Sequence, residues 1–466
     1  MTDQKIIHRI SPATVPAWLL KKYFKSGPRY TSYPTAPQFK SQFDKDQVQE
    51  EWRKTNSPKG KGLSLYLHIP FCEKRCLYCG CYTEAGHGPE TVNQYLKAMD
   101  LECRSILKII DPARSVEQLA MGGGTPTFLK PVQMRALVEG LKKEFNFSSA
   151  GERSIEIDPR SVDEQYLDLL LELGFNRFSF GVQDLDPEVQ RNVGRIQSEE
   201  KIIGLVSHLK NRGHHAINLD LIYGLPGQTP QSYEATVSKI ARLRPSRIAL
   251  FGYAHVPWVS PHQKALEQYH IPSPEERMAL FGLAYDKLLA SGYKHVGMDH
   301  FALPDDELIQ ALNSRTLTRN FMGYTTRRGL DLIGIGASSI SSVGATYAQN
   351  EKASEKYMAK AWDSAWVKAL LLSGEDRLRR ELILDLFCNF YLDVKKLEQN
   401  FSVDFKNHFA PELEGLGPLA QDGLVELSDD HIQVTDLGRF FIRNICMCFD
   451  QYLDRENPEA RYSKTL

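Results

Sequence analysis

From residue 63 onward, short apolar runs alternate with longer amphipathic stretches. Short runs rich in β-branched and aromatic residues predict strands, and apolar positions three or four residues apart predict helices. Helices are predicted at Thr91–Ile109 and Val132–Phe145, among other places. The predicted strands are Leu63–Ile69, Gln118–Met121, Ser154–Ile157, Arg177–Gly181, Ala216–Ile222 and Arg247–Phe251.

This alternation favours an α/β fold in which parallel strands are joined by helices. Right-handed crossovers would curl six such units into a partial (β/α)6 barrel of the TIM type. A helix at residues 275–290 and a strand at Lys294–Met298 close the array. We therefore expect a catalytic domain at residues 61–300, with its chemistry at the carboxyl ends of the strands.

The two flanks have different patterns. Residues 1–60 are polar, with scattered Pro and Gly, and predict a solvated N-terminal arm. Residues 301–466 predict a mostly helical C-terminal domain with a winged-helix-like end. Its predicted elements are helices at Lys352–Leu372 and Asp376–Phe387, a hairpin at Gly423–Leu427 and His431–Thr435, and a helix from Leu437.

Composition restricts the class of protein. The 466 residues are 42% hydrophobic and 25% charged, which is typical of a soluble globular chain. Lys and Arg number 57 against 58 Asp and Glu, so the net charge of −1 gives no basis for binding nucleic acid or an acidic membrane surface. No apolar run reaches membrane-spanning length, and the N-terminus lacks the apolar segment of a signal peptide. We expect a cytoplasmic enzyme.

Four thiols follow the first predicted strand. Cys72, Cys76 and Cys79 have the spacing C-x3-C-x2-C, and Cys81 comes two positions later. Thiolates this close together bind soft metals or iron–sulfur clusters. A structural zinc site would need a second, separate pair of ligands, and disulfides are disfavoured without a secretory signal. We favour a cluster held by the first three thiols, which leaves one iron open for chemistry.

The ends of the later strands carry glycines and polar residues. Gly122–Thr127 follows the second strand, where it could bring the backbone and its amides close to a ligand or simply form a tight turn. Glu156 and Asp158 end the third strand and could receive a ribose hydroxyl or an ammonium group, or pair with Arg160. Gln183 and Asp184 end the fourth strand, and Asp220 the fifth.

These motifs resemble a known family. The cluster loop, preceded by Tyr66-Leu-His-Ile-Pro-Phe71, resembles the radical SAM superfamily. A wider pattern, from Ser26–Thr35 to Asn444–Asp450, resembles the oxygen-independent coproporphyrinogen III oxidase (coproporphyrinogen dehydrogenase) family of haem synthesis. The segments between them that share the resemblance are Gly122–Thr127, Gly181–Asp184, Asp220–Pro226, Tyr253–His255, Gly297–Phe301 and Arg319–Phe321.

The resemblance implies a site for three cofactors. A [4Fe–4S] cluster would be held by Cys72, Cys76 and Cys79, with Cys81 close by but not a ligand. Tyr66, Glu156 and Cys81 would lie at the reacting centre. A first S-adenosylmethionine on the open iron would contact Tyr66, Gly123, Glu156 and Ile340. A second one would contact Tyr78, Gly124, Thr125, Gln183, Arg195, Asp220 and Ala254, with Arg195 pairing to its carboxylate.

The resemblance also implies a reaction and partners. A 5′-deoxyadenosyl radical would take hydrogen from two propionates of coproporphyrinogen III, which lose CO2 and become the vinyl groups of protoporphyrinogen IX. Arg29 is a candidate to meet a substrate carboxylate. A flavodoxin- or ferredoxin-like protein would supply electrons, the final electron acceptor is not specified, and the protein is expected to be a monomer that binds neither nucleic acid nor membrane.

Other interpretations remain open at this stage. A haem-trafficking relative and an anaerobic haem-degrading radical methyltransferase share the core motifs, and a zinc protein with a winged-helix DNA module is a third class. Trafficking relatives typically lack Cys81 and the Ser26–Thr35 arm. Two positions depart from the family, with Tyr78 where Phe is frequent and Met322 where Gln is frequent.

Overall fold

The computed structural model describes residues 10–56, 61–360, 365–453, 462 and 465. Its strands are β1 Leu63–Ile69, β2 Phe71–Cys72, β3 Glu84–Ala85, β4 Ser115–Gly123, β5 Asn146–Ile157, β6 Arg177–Gln183, β7 Ile217–Tyr223, β8 Arg247–Gly252, β9 Lys294–Gly297, β10 His300–Ala302, β11 Thr318–Asn320, β12 Gly323–Thr325, β13 Asp331–Ile335, β14 Ile340–Val343, β15 Thr346–Asn350, β16 Trp366–Leu371, β17 Tyr391–Asp393, β18 Val425–Leu427 and β19 His431–Val434. Its helices are α1 Ala17–Tyr23, α2 Lys45–Arg53, α3 Pro89–Ile106, α4 Pro131–Glu144, α5 Glu164–Glu172, α6 Pro187–Asn192, α7 Glu199–Asn211, α8 Pro230–Arg242, α9 Pro274–Ala290, α10 Glu307–Asn313, α11 Ser354–Lys360, α12 Gly374–Asn389, α13 Val394–Phe401, α14 Phe405–His408, α15 Ala410–Gln421 and α16 Ile442–Met447.

A twelve-stranded sheet organises the molecule, in the order β16-β15-β14-β13-β1-β4-β5-β6-β7-β8-β10-β9. All strands from β13 to β8 in this order run parallel. The six predicted strands are β1 and β4 to β8, side by side in chain order. Antiparallel strands extend the sheet at both edges. The predicted α/β class with a mostly parallel sheet is therefore confirmed.

Strand β1 shows how the sequence positions the site. Leu63, Leu65 and Leu67 are fully buried in the main core, as period-two alternation requires. Tyr66 and His68 project from the opposite face, where the Tyr66 hydroxyl lies 3.1 Å from His68 Nδ1. One face of the strand thus packs against helices and the other supplies polar groups to the interior of the curved sheet.

The sheet extends beyond the predicted catalytic domain. Strands β13 to β16 belong to it, although they lie in the region predicted to be the helical C-terminal domain. The helix predicted at Lys352–Leu372 is wrong in its second half, because α11 ends at Lys360 and Trp366–Leu371 forms β16. Pairing with β15 specifies that edge strand, and apolar periodicity does not reveal such a long-range partner.

A second core holds the C-terminal elements together. Leu382, Ile383 and Leu386 of α12 are fully buried in it. The predicted hairpin is confirmed as β18 and β19, and β17 adds a third strand. Helix α12 contains the predicted helix Asp376–Phe387, so that prediction is confirmed.

The N-terminal arm is packed, so the prediction of a solvated segment is wrong. Tyr30 and Tyr33 are each 1% exposed. The Tyr30 hydroxyl donates to Asp450 Oδ2 at 3.0 Å, and Tyr33 Oη accepts from the backbone amide of Gln451 at 3.1 Å. Burying aromatic side chains provides the stabilisation that the weak local propensities lack. None of the helices in the described segments is long and apolar enough to cross a membrane.

Candidate active site

The thiol loop leaves β1 and lies over the carboxyl ends of the parallel strands. Cys72 Sγ is 3.4 Å from Thr125 Oγ1. Cys76 Sγ receives Arg195 Nη1 at 3.5 Å and Arg160 Nη2 at 3.7 Å. A hydrogen bond from Cys81 lowers the pKa of the Cys79 thiol. Cys81 itself is exposed.

The donor set fits an iron–sulfur cluster by its chemistry. Thiolates are the ligands such clusters use, and the two guanidiniums beside Cys76 offset negative charge on sulfur. No group of three or more His, Cys, Asp or Glu among the described residues is arranged to hold a metal ion. The ligand assignment therefore stays a prediction.

The backbone amides of the glycine turn form hydrogen bonds within the protein. The Gly123 amide donates to Glu156 Oε2 at 3.2 Å, the Gly124 amide to Ile69 O at 2.8 Å, and the Thr125 amide to Phe71 O at 2.9 Å. Gly123 has a φ of +109°, and a Cβ there would come 2.5 Å from the His68 ring. These three amides are thus already used within the protein, as in the tight-turn alternative. The role of the glycines is to let strand ends and side chains approach closely.

The two carboxylates that end β5 have separate surroundings. Asp158 pairs with Arg160 at 2.7 Å and Arg195 at 3.1 Å. Glu156 makes no ion pair within the described residues, and its side chain is accessible to solvent. The surrounding protein removes part of its hydration, and this desolvation and the nearby Asp220 raise the pKa of its carboxyl to about 7. Asp158 therefore forms the salt bridge with Arg160 that was the alternative to ligand binding, whereas Glu156 remains available to a ligand.

Buried polar atoms without partners mark the ends of β6 and the segment after it. Gln183 Oε1 and Arg195 Nε are buried without a hydrogen-bond partner. Gln183 has a φ of +69°, a conformation unusual for a residue with a Cβ, at an irregularity in the pairing of β6 with β7. Unsatisfied buried donors and acceptors are costly, and a polar ligand at this place would find partners in these two atoms.

The remaining predicted positions adjoin these groups. Burial and the Glu156 charge raise the pKa of Tyr66. Tyr66 is paired in register with Gly334, where a Cβ would lie 2.7 Å from the carbonyl oxygen of Ile340. Asp220 accepts from Asn218 at 2.7 Å and Ser179 at 3.2 Å, and burial raises the pKa of its carboxyl to about 6.

Gln263 is a functional candidate that sequence reasoning missed. Its fully buried side chain donates from Nε2 to Tyr78 O at 3.0 Å and Ala254 O at 3.2 Å, and accepts from the Val256 amide at 2.7 Å. His262 Nε2 lies 2.8 Å from Cys79 O. The short helical turn at Pro261–Leu266 therefore ties the thiol loop to the segment after β8. It lies in a loop whose sequence carries no motif that could have indicated this role.

We expect Gln263→Leu to destabilise the protein and weaken S-adenosylmethionine binding. It removes the partner of three backbone groups, and each unsatisfied buried group costs about 1–3 kcal/mol, so a loss of at least about 3 kcal/mol is expected. Urea unfolding of the anaerobic protein measures this loss. Gln268→Leu is the matched control, because that exposed side chain bonds only locally to Ala265 O. Equal unfolding free energies in the two variants would contradict the positioning role.

Two protein-family models and several curated proteins match this chain. The family model for the radical SAM superfamily matches residues 66–240, and that for the HemN C-terminal domain matches residues 372–441. The oxygen-independent coproporphyrinogen III oxidase of Escherichia coli K12 is 43% identical over 451 residues, covering 96% of this chain and 98% of that protein. Its counterpart in Pseudomonas aeruginosa is 41% identical over 455 residues, with 96% and 98% covered.

A solved structure extends the match to three dimensions. The coproporphyrinogen III oxidase (HemN) of Escherichia coli, described as a radical SAM enzyme, superimposes with a TM-score of 0.89 at 43% identity, covering 94% of this chain and 99% of that one. The parallel sheet and the thiol loop thus define a radical SAM enzyme, whose cofactors are a [4Fe–4S] cluster and S-adenosylmethionine. Within that class, the chain belongs to the oxygen-independent coproporphyrinogen III oxidase family.

Proposed function

We propose that this chain converts coproporphyrinogen III into protoporphyrinogen IX without oxygen, in haem biosynthesis. Two propionates each lose one hydrogen atom, one electron and CO2 to become vinyl groups. The full-length similarity to proteins of that activity carries the proposal. When bound, the reduced cluster and S-adenosylmethionine supply the hydrogen-abstracting 5′-deoxyadenosyl radical, and the protein supplies binding, orientation and exclusion of solvent.

The site residues would divide this work. Cys72, Cys76 and Cys79 would hold the cluster, and Cys81 would support the Cys79 sulfur. The first S-adenosylmethionine would lie among Tyr66, Gly123, Glu156 and Ile340. The second would lie among Tyr78, Gly124, Thr125, Gln183, Arg195, Asp220 and Ala254. The unpartnered Gln183 Oε1 and Arg195 Nε are the atoms that support this second position.

The context of the reaction is part of the same proposal. A cytoplasmic monomer would receive electrons from a flavodoxin- or ferredoxin-like donor and pass electrons from the substrate to an acceptor whose identity the chain does not specify. The packed arm and the C-terminal domain would cover the radical site. Arg29 lies within this cover, where its Nη1 is 3.4 Å from Asp299 Oδ2.

An anaerobic assay with coproporphyrinogen III, S-adenosylmethionine and a reductant tests this function. We expect a product with two new vinyl groups. Tight haem binding without any vinyl product would instead favour a haem-trafficking role.

A further inference from the structure

A basic cavity of about 530 Å³ adjoins the proposed second cofactor position. It shares Ala254 with that position and lies where β7 and β8 end, between the arm, α9 and the C-terminal domain. Among the described residues that line it, four are arginines and one is a carboxylate, Asp299. The arginines are Arg29, Arg277, Arg439 and Arg443. An excess of guanidinium charge in a concave site favours an anionic ligand.

Arg277 has no acidic partner in the described parts of the chain, and its Nε is buried without a hydrogen bond. Arg29 shares its charge with Asp299 at 3.4 Å. Arg439 Nε lies 3.5 Å from Asp436 Oδ1, and Arg443 Nε donates to Pro28 O at 2.9 Å. Within the described residues, the charge of Arg277 is therefore not neutralised by a carboxylate.

The fold keeps the Arg277 side chain in place. Arg277 lies in the first turns of α9, a helix capped by Ser273. Its side chain passes over Gly224, where a Cβ would come 2.9 Å from Arg277 Cγ. Gly224 also has a φ of +83°, so a larger residue would be strained as well as crowded. The guanidinium is thus held at the cavity rather than free to move through solvent.

The rest of the wall suits an apolar ring. Phe281 and Met278 line the cavity, and so do Trp258 and Val259, which are 77% and 71% exposed. Large exposed apolar side chains at the rim of a pocket are typical of ligand contacts. A ligand with an apolar macrocycle and carboxylates at its periphery matches both kinds of wall.

We propose that Arg277, assisted by Arg29, binds the substrate propionates that do not react; this rests on the proposed function. Loss of CO2 removes negative charge from a reacting propionate. A guanidinium bound to that carboxylate would stabilise the ground state more than the transition state and slow the reaction. Carboxylates that keep their charge throughout are therefore the suitable anchors, and the two that survive into the product meet this condition.

Fluorescence titration of the anaerobic holoprotein with two stable porphyrins tests this assignment. Coproporphyrin III carries all four carboxylates and protoporphyrin IX only the two that do not react. We expect Arg277→Gln to raise the Kd of both about tenfold or more, the size of a lost charge-assisted hydrogen bond. Arg277→Lys should recover part of the affinity, and Arg242→Gln, at an exposed position, should leave it unchanged.

Two results would overturn the assignment. Arg277→Gln could bind both porphyrins within twofold of the unaltered protein, or it could weaken coproporphyrin III alone, which would place Arg277 on a reacting propionate. Failure of the proposed function would be visible separately, as unaltered protein that binds the porphyrins but forms no vinyl product from coproporphyrinogen III.

Discussion

Replacing Cys72, Cys76 or Cys79 with Ser should remove the iron–sulfur cluster, whereas Cys81→Ser should keep it. In the proposed assignment, each of the first three would supply a ligand that the other residues of the loop do not replace. Cys81 would donate a hydrogen bond to Cys79, which a Ser hydroxyl also provides. We expect activity to fall at least about a thousandfold in the three ligand variants, about 4 kcal/mol at 1.36 kcal/mol per factor of ten.

Iron and sulfide analysis after anaerobic reconstitution, together with the visible absorbance of the cluster, measures the difference. The four variants make the same change within ten residues of one another, so general damage to the loop would affect them alike. Loss of the cluster in Cys81→Ser, or its retention in any of the other three, would overturn the ligand assignment.

Glu156→Gln should weaken S-adenosylmethionine binding by about tenfold to a hundredfold, since hydrogen bonds to charged groups contribute about 1.5–3 kcal/mol. Glu156 has no cationic partner among the described residues, so its carboxylate is free to receive an ammonium or hydroxyl group. Glutamine has a similar shape but lacks the charge. Isothermal titration with the anaerobic holoprotein measures the affinity, and Glu426→Gln, on the exposed C-terminal hairpin, is the control.

The pH dependence provides a second readout. The pKa of Glu156 is raised to about 7 by burial and by Asp220, so the carboxylate gains a proton as the pH falls through 7. Affinity of the unaltered protein should therefore fall from pH 7.5 towards pH 5.5. An α-amino group, whose pKa is about 7.7–8, only gains charge over this range and cannot cause the fall. The Glu156→Gln variant should lose the part of this fall near pH 7 and keep the part that Asp220, whose pKa is about 6, contributes. An equal pH profile in both proteins would contradict the role of Glu156.

The strands and helices of the α/β core were predictable because each has its own local apolar pattern. Their arrangement was predictable because these strands lie side by side in chain order. β13 was not predicted at the side of β1, because its partner lies far away in sequence and apolar periodicity carries no information about partners. The prediction of a solvated N-terminal arm was wrong for a related reason. Its helix α2 has few core positions, with Val48 and Trp52 one turn apart, and Trp52 gains its stability from a distant contact with Thr346.

Some residues of the candidate site could likewise be predicted from the sequence, and others could not. Polar residues at strand ends, such as Glu156 and Asp220, were predictable because parallel strands bring those ends together. Ile340 and Ala254 are apolar and became candidates only through resemblance to a family. Gln263 was predicted neither from its position at a strand end nor from the family resemblance. It lies in a loop and binds backbone carbonyls, and only the folded chain shows those carbonyls close to its amide.

Deuterium transfer from the substrate tests the central claim most directly. Coproporphyrinogen III labelled at the β-carbons of its propionates is incubated anaerobically with the protein, S-adenosylmethionine and a reductant. We expect deuterium to appear in 5′-deoxyadenosine, and one molecule of 5′-deoxyadenosine to form for each vinyl group. Vinyl product with no deuterium in 5′-deoxyadenosine, or 5′-deoxyadenosine formed without any vinyl product, would contradict it.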